Sequence, residues 1–162
     1  MGPPIEVREA TEADQETVLR FHRNLYQSHR DEVVPTDVLP LIEYRDYKQV
    51  VEDDVKVLLA DRNSHIFVAE SEGVPVGYIT GRTTDEPHRV LARRGVVEDW
   101  YVARAHRGQG IGAALLRKIE ERFRSVGCEV IESGTWSSNE GARKVHDAFG
   151  FEEIRVTYRK RL

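Results

Sequence analysis

Residues Arg107-Gly108-Gln109-Gly110-Ile111-Gly112 lie between two runs of opposite character. The run before them, Val96-Val97-Glu98-Asp99-Trp100-Tyr101-Val102, is β-branched and aromatic and reads as a strand. The run after them opens with Ala113-Ala114-Leu115-Leu116 and reads as an amphipathic helix. A glycine-rich turn that starts a helix is a place to hold phosphate. Glycine lets the backbone approach closely, and the first N–H groups of the helix point at the anion along the positive end of its dipole. The loop from Gly108 to Ala113 is therefore expected to bind a phosphorylated ligand.

Two phosphate loops are excluded. A P-loop needs Gly-Lys-Ser/Thr, and the first lysine after Gly112 is Lys118. The dinucleotide fingerprint needs G-x-G-x-x-G near the first strand. Gly108, Gly110 and Gly112 give G-x-G-x-G, and roughly a hundred residues precede them. What remains is Arg107-x-x-Gly110-x-Gly112, which resembles the coenzyme A loop of the GNAT N-acetyltransferases. A second segment, Asn139-Glu140-Gly141-Ala142 through His146 to Phe149-Gly150-Phe151, resembles the later motif of that family, in which Asn-x-x-Ala begins a helix ending in Gly-Phe. The two lie in the family's order and at its spacing, and the likeness covers the chain well from about Val74.

The composition suits one domain over residues 1–162, with 40% hydrophobic and 32% charged residues. No run of eighteen apolar residues exists, so no transmembrane helix is expected, and Met1-Gly2-Pro3-Pro4 carries no charged n-region or apolar h-region, so no secretory signal is expected. A single cysteine, Cys128, forms no internal disulfide and fits a reducing compartment, so a cytoplasmic location is expected. Charge is uneven: residues 1–62 carry net −6 and residues 63–162 net +2. The basic part holds the phosphate loop. The acidic part suits a cationic substrate, or is simply a set of solvated helix faces. A net charge of −4 argues against nucleic acid as a partner.

Along the chain, Ile5–Arg8 reads as a strand, and Thr11-Glu12-Ala13-Asp14 as a capping start for a helix with Val18, Phe21 and Leu25 on one face. His29 to Pro35 reads as a loop. A second helical region starts at Thr36-Asp37, kinks at Pro40 and runs to about Asp61. Strands follow at Ile66–Glu70 and Pro75–Arg82, then a polar loop Thr84–Arg94, the strand Gly95–Ala103, a helix to about Val126, a strand Glu129–Thr135, a helix Asn139–Phe149 and a last strand Glu153–Arg161. The expected class is α/β with a mixed central sheet, in the order β-α-α-β-β-β-α-β-α-β. The resemblance implies that two neighbouring parallel strands splay apart and that the pantetheine arm of acetyl-CoA lies in the gap.

Acetyl transfer from a thioester to an amine needs a base for the ammonium proton, a donor for the oxyanion and a proton for the leaving thiolate. Glu98, in alternation phase with Trp100 and Val102, is the candidate base. Its pKa should rise beside Trp100; its plainer reading is a water-facing carboxylate. Asp99 points to the other face in a regular strand, and a bulge would reverse the choice. His146 stands where the family usually has the Tyr that protonates the thiolate. It is the candidate acid, or else a polar filler on a helix face. The resemblance places Arg107, the backbone of Gly108, Gln109, Gly110, Ile111, Gly112 and Ala113, and Asn139 against coenzyme A. It also gives backbone groups of Tyr101 and Val102 to the pantetheine amides. Arg104 stands where relatives often have proline. His22, His29, His65 and His88 show no metal-ligand spacing, so no metal is expected. Val145, Phe149 and Phe151 should pack the last helix on the sheet. The expected function is transfer of acetyl from acetyl-CoA to a primary amine by direct attack in a ternary complex. The alternative is a non-catalytic acyl-CoA-binding sensor or an interaction domain, and the same reading admits a homodimer.

Overall fold

The hairpin, the glycine loop and the long helix of the sequence assemble into a five-stranded sheet flanked by helices; the computed structural model describes residues 2–162. The strands are β1 (Ile5–Glu9), β2 (Ser64–Ser71), β3 (Val74–Asp85), β4 (Arg93–Val102) and β5 (Val130–Ser133), in spatial order 1-2-3-4-5. The first four are antiparallel neighbours, and β4 and β5 are parallel. The hairpin between β2 and β3 turns at Glu72 and Gly73, both at positive φ (52° and 77°), as a tight hairpin requires.

Four helices cover the sheet: α1 (Gln15–Ser28), α2 (Tyr47–Ala60), α3 (Ile111–Ser125) and α4 (Glu140–Ala148). The entry to α1 is a capping box in which the Thr11 N–H donates to the Asp14 carboxylate at 2.7 Å. Two apolar clusters form, one on each face. Phe67, Ile79, Val97, Ile111, Leu115, Ile119 and Phe123 pack under α3. Val18, Phe21, Val55, Leu58, Tyr78 and Tyr101 pack under α1 and α2. On the α3 side, Gly95 and Gly81 leave room for the Phe123 ring: a Cβ at Gly95 would lie 2.3 Å from it.

Several expectations are corrected. Residues 153–161 form no strand, and Ile154 and Tyr158 are about 90% exposed. Val145 and Phe149 are only half-covered, at 40% and 42% exposure; Phe151 does pack against the core. The helical region after Thr36 is a turn and one 3-10 turn at Leu39–Leu41, where Pro40 removes a donor, and α2 begins at Tyr47 with Asp46 as its cap. The loop at His29–Val33 is a π turn continuing α1.

Two irregularities shape the centre of the sheet. The β4–β5 ladder extends only from Arg94↔Val130 to Val97↔Ser133, while β4 continues to Val102. The two strands therefore part beyond Val97. One residue away, β3 meets β4 with a bulge: Thr80 faces Asp99 and Gly81 faces Val97, so Glu98 has no opposite residue.

Candidate active site

The glycine loop ends at Gly110, whose φ of 80° is left-handed and which caps α3. Nothing lies within 4 Å of a Cβ built there, so glycine is required for the backbone turn and not for space. The first hydrogen bond into the helix is Ala114 N–H to Gly110 C=O at 3.0 Å. Among the described residues, no acceptor meets the N–H groups of Gly108, Gln109, Gly110, Ile111, Gly112 or Ala113. Six donors at the positive end of one helix dipole form an anion cradle.

This cradle closes one end of a groove of about 400 Å³. Trp100, Tyr101 and Val102 of β4 line it, with Arg107, Gly108, Gly110, Ile111 and Gly112 of the loop, His29 and Val33 of the π turn, and Asn139, Ala142, Val145 and His146 of α4. Gln109 and Ala113 do not line it through their side chains; what they bring is backbone N–H. The Trp100 indole N–H donates to Gly112 C=O at 3.1 Å and ties the strand to the loop.

Ala103 N–H donates to Val76 C=O, which fixes the phase of the strand end. Tyr101, two residues earlier, turns its backbone groups toward Tyr78 of β3 and offers the groove its ring. Trp100 and Val102 turn theirs toward the gap left by β5. Trp100 thus stands where the sequence reading placed Tyr101. The Val102 carbonyl accepts from Arg107 Nε at 2.9 Å, and the Arg107 guanidinium lies over the Tyr101 ring, 6.0 Å from its centroid. Arg107 is therefore pinned at the mouth of the groove. Asn139 caps α4, its side-chain oxygen accepting from Ala142 N–H at 3.1 Å.

His146 points inward from α4. Its Nδ1–H donates to the Ala142 carbonyl (2.7 Å), and its Nε2 lies 2.8 Å from Ser133 Oγ, at the point where β5 leaves β4. The ring meets Trp100 and Phe151 edge to face. The carbonyl partner fixes the proton on Nδ1, and the two contacts hold the imidazole in one orientation.

The bulge overturns the expected phase of Glu98. Trp100 faces α3 and α4, whereas Glu98 lies 3.5 Å from Arg82, which also pairs with Asp61 at the end of α2. Glu98 and Asp99 thus share the α1/α2 face. The Glu98 carboxyl is raised above its ordinary range, as expected, but by another cause. Burial comes first, Arg82 opposes it, and Asp99, Asp61 and Asp54 reinforce it. Asp99 accepts from the Thr80 hydroxyl at 3.2 Å and lies 3.2 Å from His22 Nδ1, while His22 Nε2 lies 3.3 Å from Asp54.

Two features escaped the sequence reading. His29 lines the groove, and burial holds its imidazole below the ordinary value while Asp99 pulls the other way. A π turn at a groove is a local signal of function, but no sequence spacing marks it. Arg104 forms an ion pair with Glu32, joining the end of β4 to the π turn across the groove mouth. Among the described residues, no three His, Cys, Asp or Glu side chains gather as a metal site, and no helix is long and apolar enough to cross a membrane.

A family model described as the acetyltransferase (GNAT) family matches residues 19–151. Aminoglycoside N(6')-acetyltransferase type 1 of Stenotrophomonas maltophilia is 33% identical over 104 residues, 62% of this chain and 68% of that protein. Among solved structures, an aminoglycoside N-acetyltransferase in complex with CoA superimposes with a TM-score of 0.75 at 21% identity, over 100% of this chain and 98% of the other. A protein of Clostridium acetobutylicum described as a predicted acetyltransferase, with acetyl-CoA, gives 0.76 at 15% identity, over 98% and 96%.

Proposed function

The chain belongs to the acetyltransferase (GNAT) family, and we propose that it carries acetyl from acetyl-CoA directly to a primary amine in a ternary complex. The observation that carries this reading is the row of six unclaimed N–H groups at Gly108–Ala113, opening onto the gap between β4 and β5. The pyrophosphate sits on those N–H groups with Arg107 beside it. The pantetheine arm runs along the open edge of β4, where the backbone of Trp100 and Val102 faces the gap, with Asn139 and Ala142 on the opposite wall.

The amine nitrogen attacks the thioester carbonyl carbon, and its proton leaves to Glu98, whose carboxyl burial holds above its ordinary range, a shift toward a stronger base. A backbone N–H on the open edge of β4 receives the oxyanion. The C–S bond then breaks, and the thiolate takes a proton from protonated His146. The carboxylates of Glu98, Asp99, Asp54 and Asp61 on one face favour a cationic acceptor. The aminoglycoside acetyltransferases among the relatives support a polyamine-like small molecule as that acceptor.

A second reading of the base rests on one observation: His29 lines the groove and is held neutral by burial, whereas Glu98 is paired with Arg82 away from it. In that reading His29 takes the ammonium proton and Glu98 only attracts the cation.

The test is the melting temperature with acetyl-CoA. At a hundredfold excess over Kd, binding adds about 2.7 kcal/mol, which is on the order of 5–10 °C for a domain of this size. No shift at millimolar acetyl-CoA refutes the cradle. A shift without thiol release on any amine favours the non-catalytic binding module.

A further inference from the structure

Ser133 and His146 form the hydrogen-bonded pair that nucleophilic catalysis requires. Ser133 Oγ lies 2.8 Å from His146 Nε2, and the Ala142 carbonyl, 2.7 Å from Nδ1, keeps the imidazole proton on Nδ1. The neutral ring therefore presents the lone pair of Nε2 to the serine hydroxyl. A nucleophile, a base in contact with it and a third group that orients the base are the three parts of a serine-type site. The rings of Trp100 and Phe151 meet the imidazole edge to face and flank it with apolar surface.

The place of the pair in the fold gives it a target. Ser133 is the last residue of β5 and, opposite Val97, the last rung before β4 and β5 part. The gap proposed to receive the pantetheine arm therefore begins at Ser133. His146 and Ala142 line the groove that leads from the glycine loop toward this point. Ser133 is half-buried rather than enclosed. Gly134 follows it outside the strand, and among the described residues no backbone carbonyl accepts from the Gly134 N–H. Nothing lies within 4 Å of a Cβ built on Gly134, so the space beside it is open. The N–H of the residue after a nucleophile is a recurrent oxyanion donor.

We propose that Ser133 is a nucleophile that takes the acetyl group from acetyl-CoA when no amine is present, with His146 as its base. This second activity rests on acetyl-CoA lying in the gap. Ser133 Oγ attacks the thioester carbonyl carbon as its proton passes to His146 Nε2, and the Gly134 N–H receives the oxyanion. The C–S bond then breaks, and the imidazolium returns the same proton to the thiolate. The products are the free CoA thiol and an acetyl ester on Ser133. Water discharges the ester. His146 takes one proton from the water as its oxygen joins the carbonyl carbon, the bond to Ser133 Oγ breaks, and the serine oxygen regains the proton as acetic acid leaves.

The experiment uses the full chain with acetyl-CoA and no amine. Thiol release is followed in time, and acid-quenched samples are digested and weighed by mass spectrometry. The wild type is expected to release thiol and to carry one acetyl group on the peptide that contains Ser133. Ser133→Ala is expected to lose both signals, and His146→Ala to slow them on the order of 100-fold. Ser133→Cys places a stronger nucleophile at the same point and is expected to carry an acetyl thioester that neutral hydroxylamine removes. A serine that only holds His146 in place gives no adduct in either form. Melting with acetyl-CoA, run on every variant, reads binding separately. A wild type that binds acetyl-CoA and acetylates an amine, yet releases no thiol without one, overturns the proposal and leaves direct transfer standing. Amine-free thiol release that persists in Ser133→Ala overturns it, as does an acetyl group found only on lysines. A chain that does not bind acetyl-CoA overturns both activities.

Discussion

Ser133 Oγ and His146 Nε2 lie 2.8 Å apart, while His146 Nδ1 gives its proton to the Ala142 carbonyl. A neutral His146 therefore accepts the Ser133 hydroxyl proton and has none to give at Nε2. Only the imidazolium, or a relay through Ser133, delivers a proton toward the gap. His146→Ala is expected to lower kcat about 100-fold, within the usual range for a positioned acid, with the Kd for CoA changed less than threefold. Single-turnover thiol release separates the two effects. Wild-type turnover in the variant would exclude His146 as the acid.

The two candidate bases separate by pH profile. A carboxylate base must be ionised, so activity falls as pH drops through its pKa. For Glu98 that limb stands above the ordinary carboxylate range, because burial raises it. Glu98→Gln should lower kcat/KM about 100-fold at neutral pH and remove the limb. His29→Asn should then change KM more than kcat. If His29→Asn removes the acid limb and Glu98→Gln does not, the roles are reversed.

The strand–loop–helix at Arg107 was legible because glycine spacing, a β-branched run and helical periodicity coincide there within twenty residues. The start of α4 at Asn139 and its end at Gly150 were legible for the same local reason, in the spacing from Asn139-Glu140-Gly141-Ala142 to Phe149-Gly150-Phe151. The face of Glu98 was not. A bulge depends on the register between β3 and β4, and register is a property of the pair. The expected strand at Glu153–Arg161 shows the converse: alternation states that a segment can pair, not with what. His29 entered the groove through a π turn, which leaves no periodic mark.

The Arg8–Asp14 pair makes part of the fold's stability depend on acid pH. The Asp14 carboxylate, buried at 7% side-chain exposure, accepts from Arg8 at 2.7 and 2.9 Å and is held down at about 2, from an ordinary 3.8. A depressed carboxylate stabilises the fold above its unfolded pKa and loses that contribution as pH falls through the folded one. Asp14→Asn should cost about 2 kcal/mol at pH 7, and the difference from wild type should close between roughly pH 4 and pH 2. Urea melts at pH 7, 4 and 2.5 measure this; a difference independent of pH would show that the charge of Asp14 contributes nothing, since the bonds from both Arg8 and Thr11 favour the ionised carboxylate.

His22 has the opposite sign. Burial lowers its pKa, but the carboxylates of Asp99 and Asp54 outweigh that and leave it raised. Its contribution is therefore full below the ordinary value of about 6.5 and is lost as pH rises through the folded value. His22→Asn should be most destabilised relative to wild type near pH 6 and least near pH 9. A constant difference would show that His22 acts only by packing beneath Tyr78.

Phe123 packs on two glycines of adjacent strands, and the fit leaves no room for a methyl group. A Cβ at Gly95 would stand 2.3 Å from the ring and one at Gly81 2.6 Å, both under any real contact. Gly95→Ala must push α3 off the sheet or force Phe123 from its rotamer, at a cost of about 1–3 kcal/mol, which lowers Tm by about 3–10 °C. Phe123→Ala alone is destabilising because it leaves a cavity. In the Gly95→Ala background the same change removes every ring atom that the new methyl group would meet, Cγ included, so the double variant should melt above the sum of the two single losses. Additive losses would mean that the strand relaxes around the added methyl group without reference to the ring, and the close approach of α3 to β4 would then need another support.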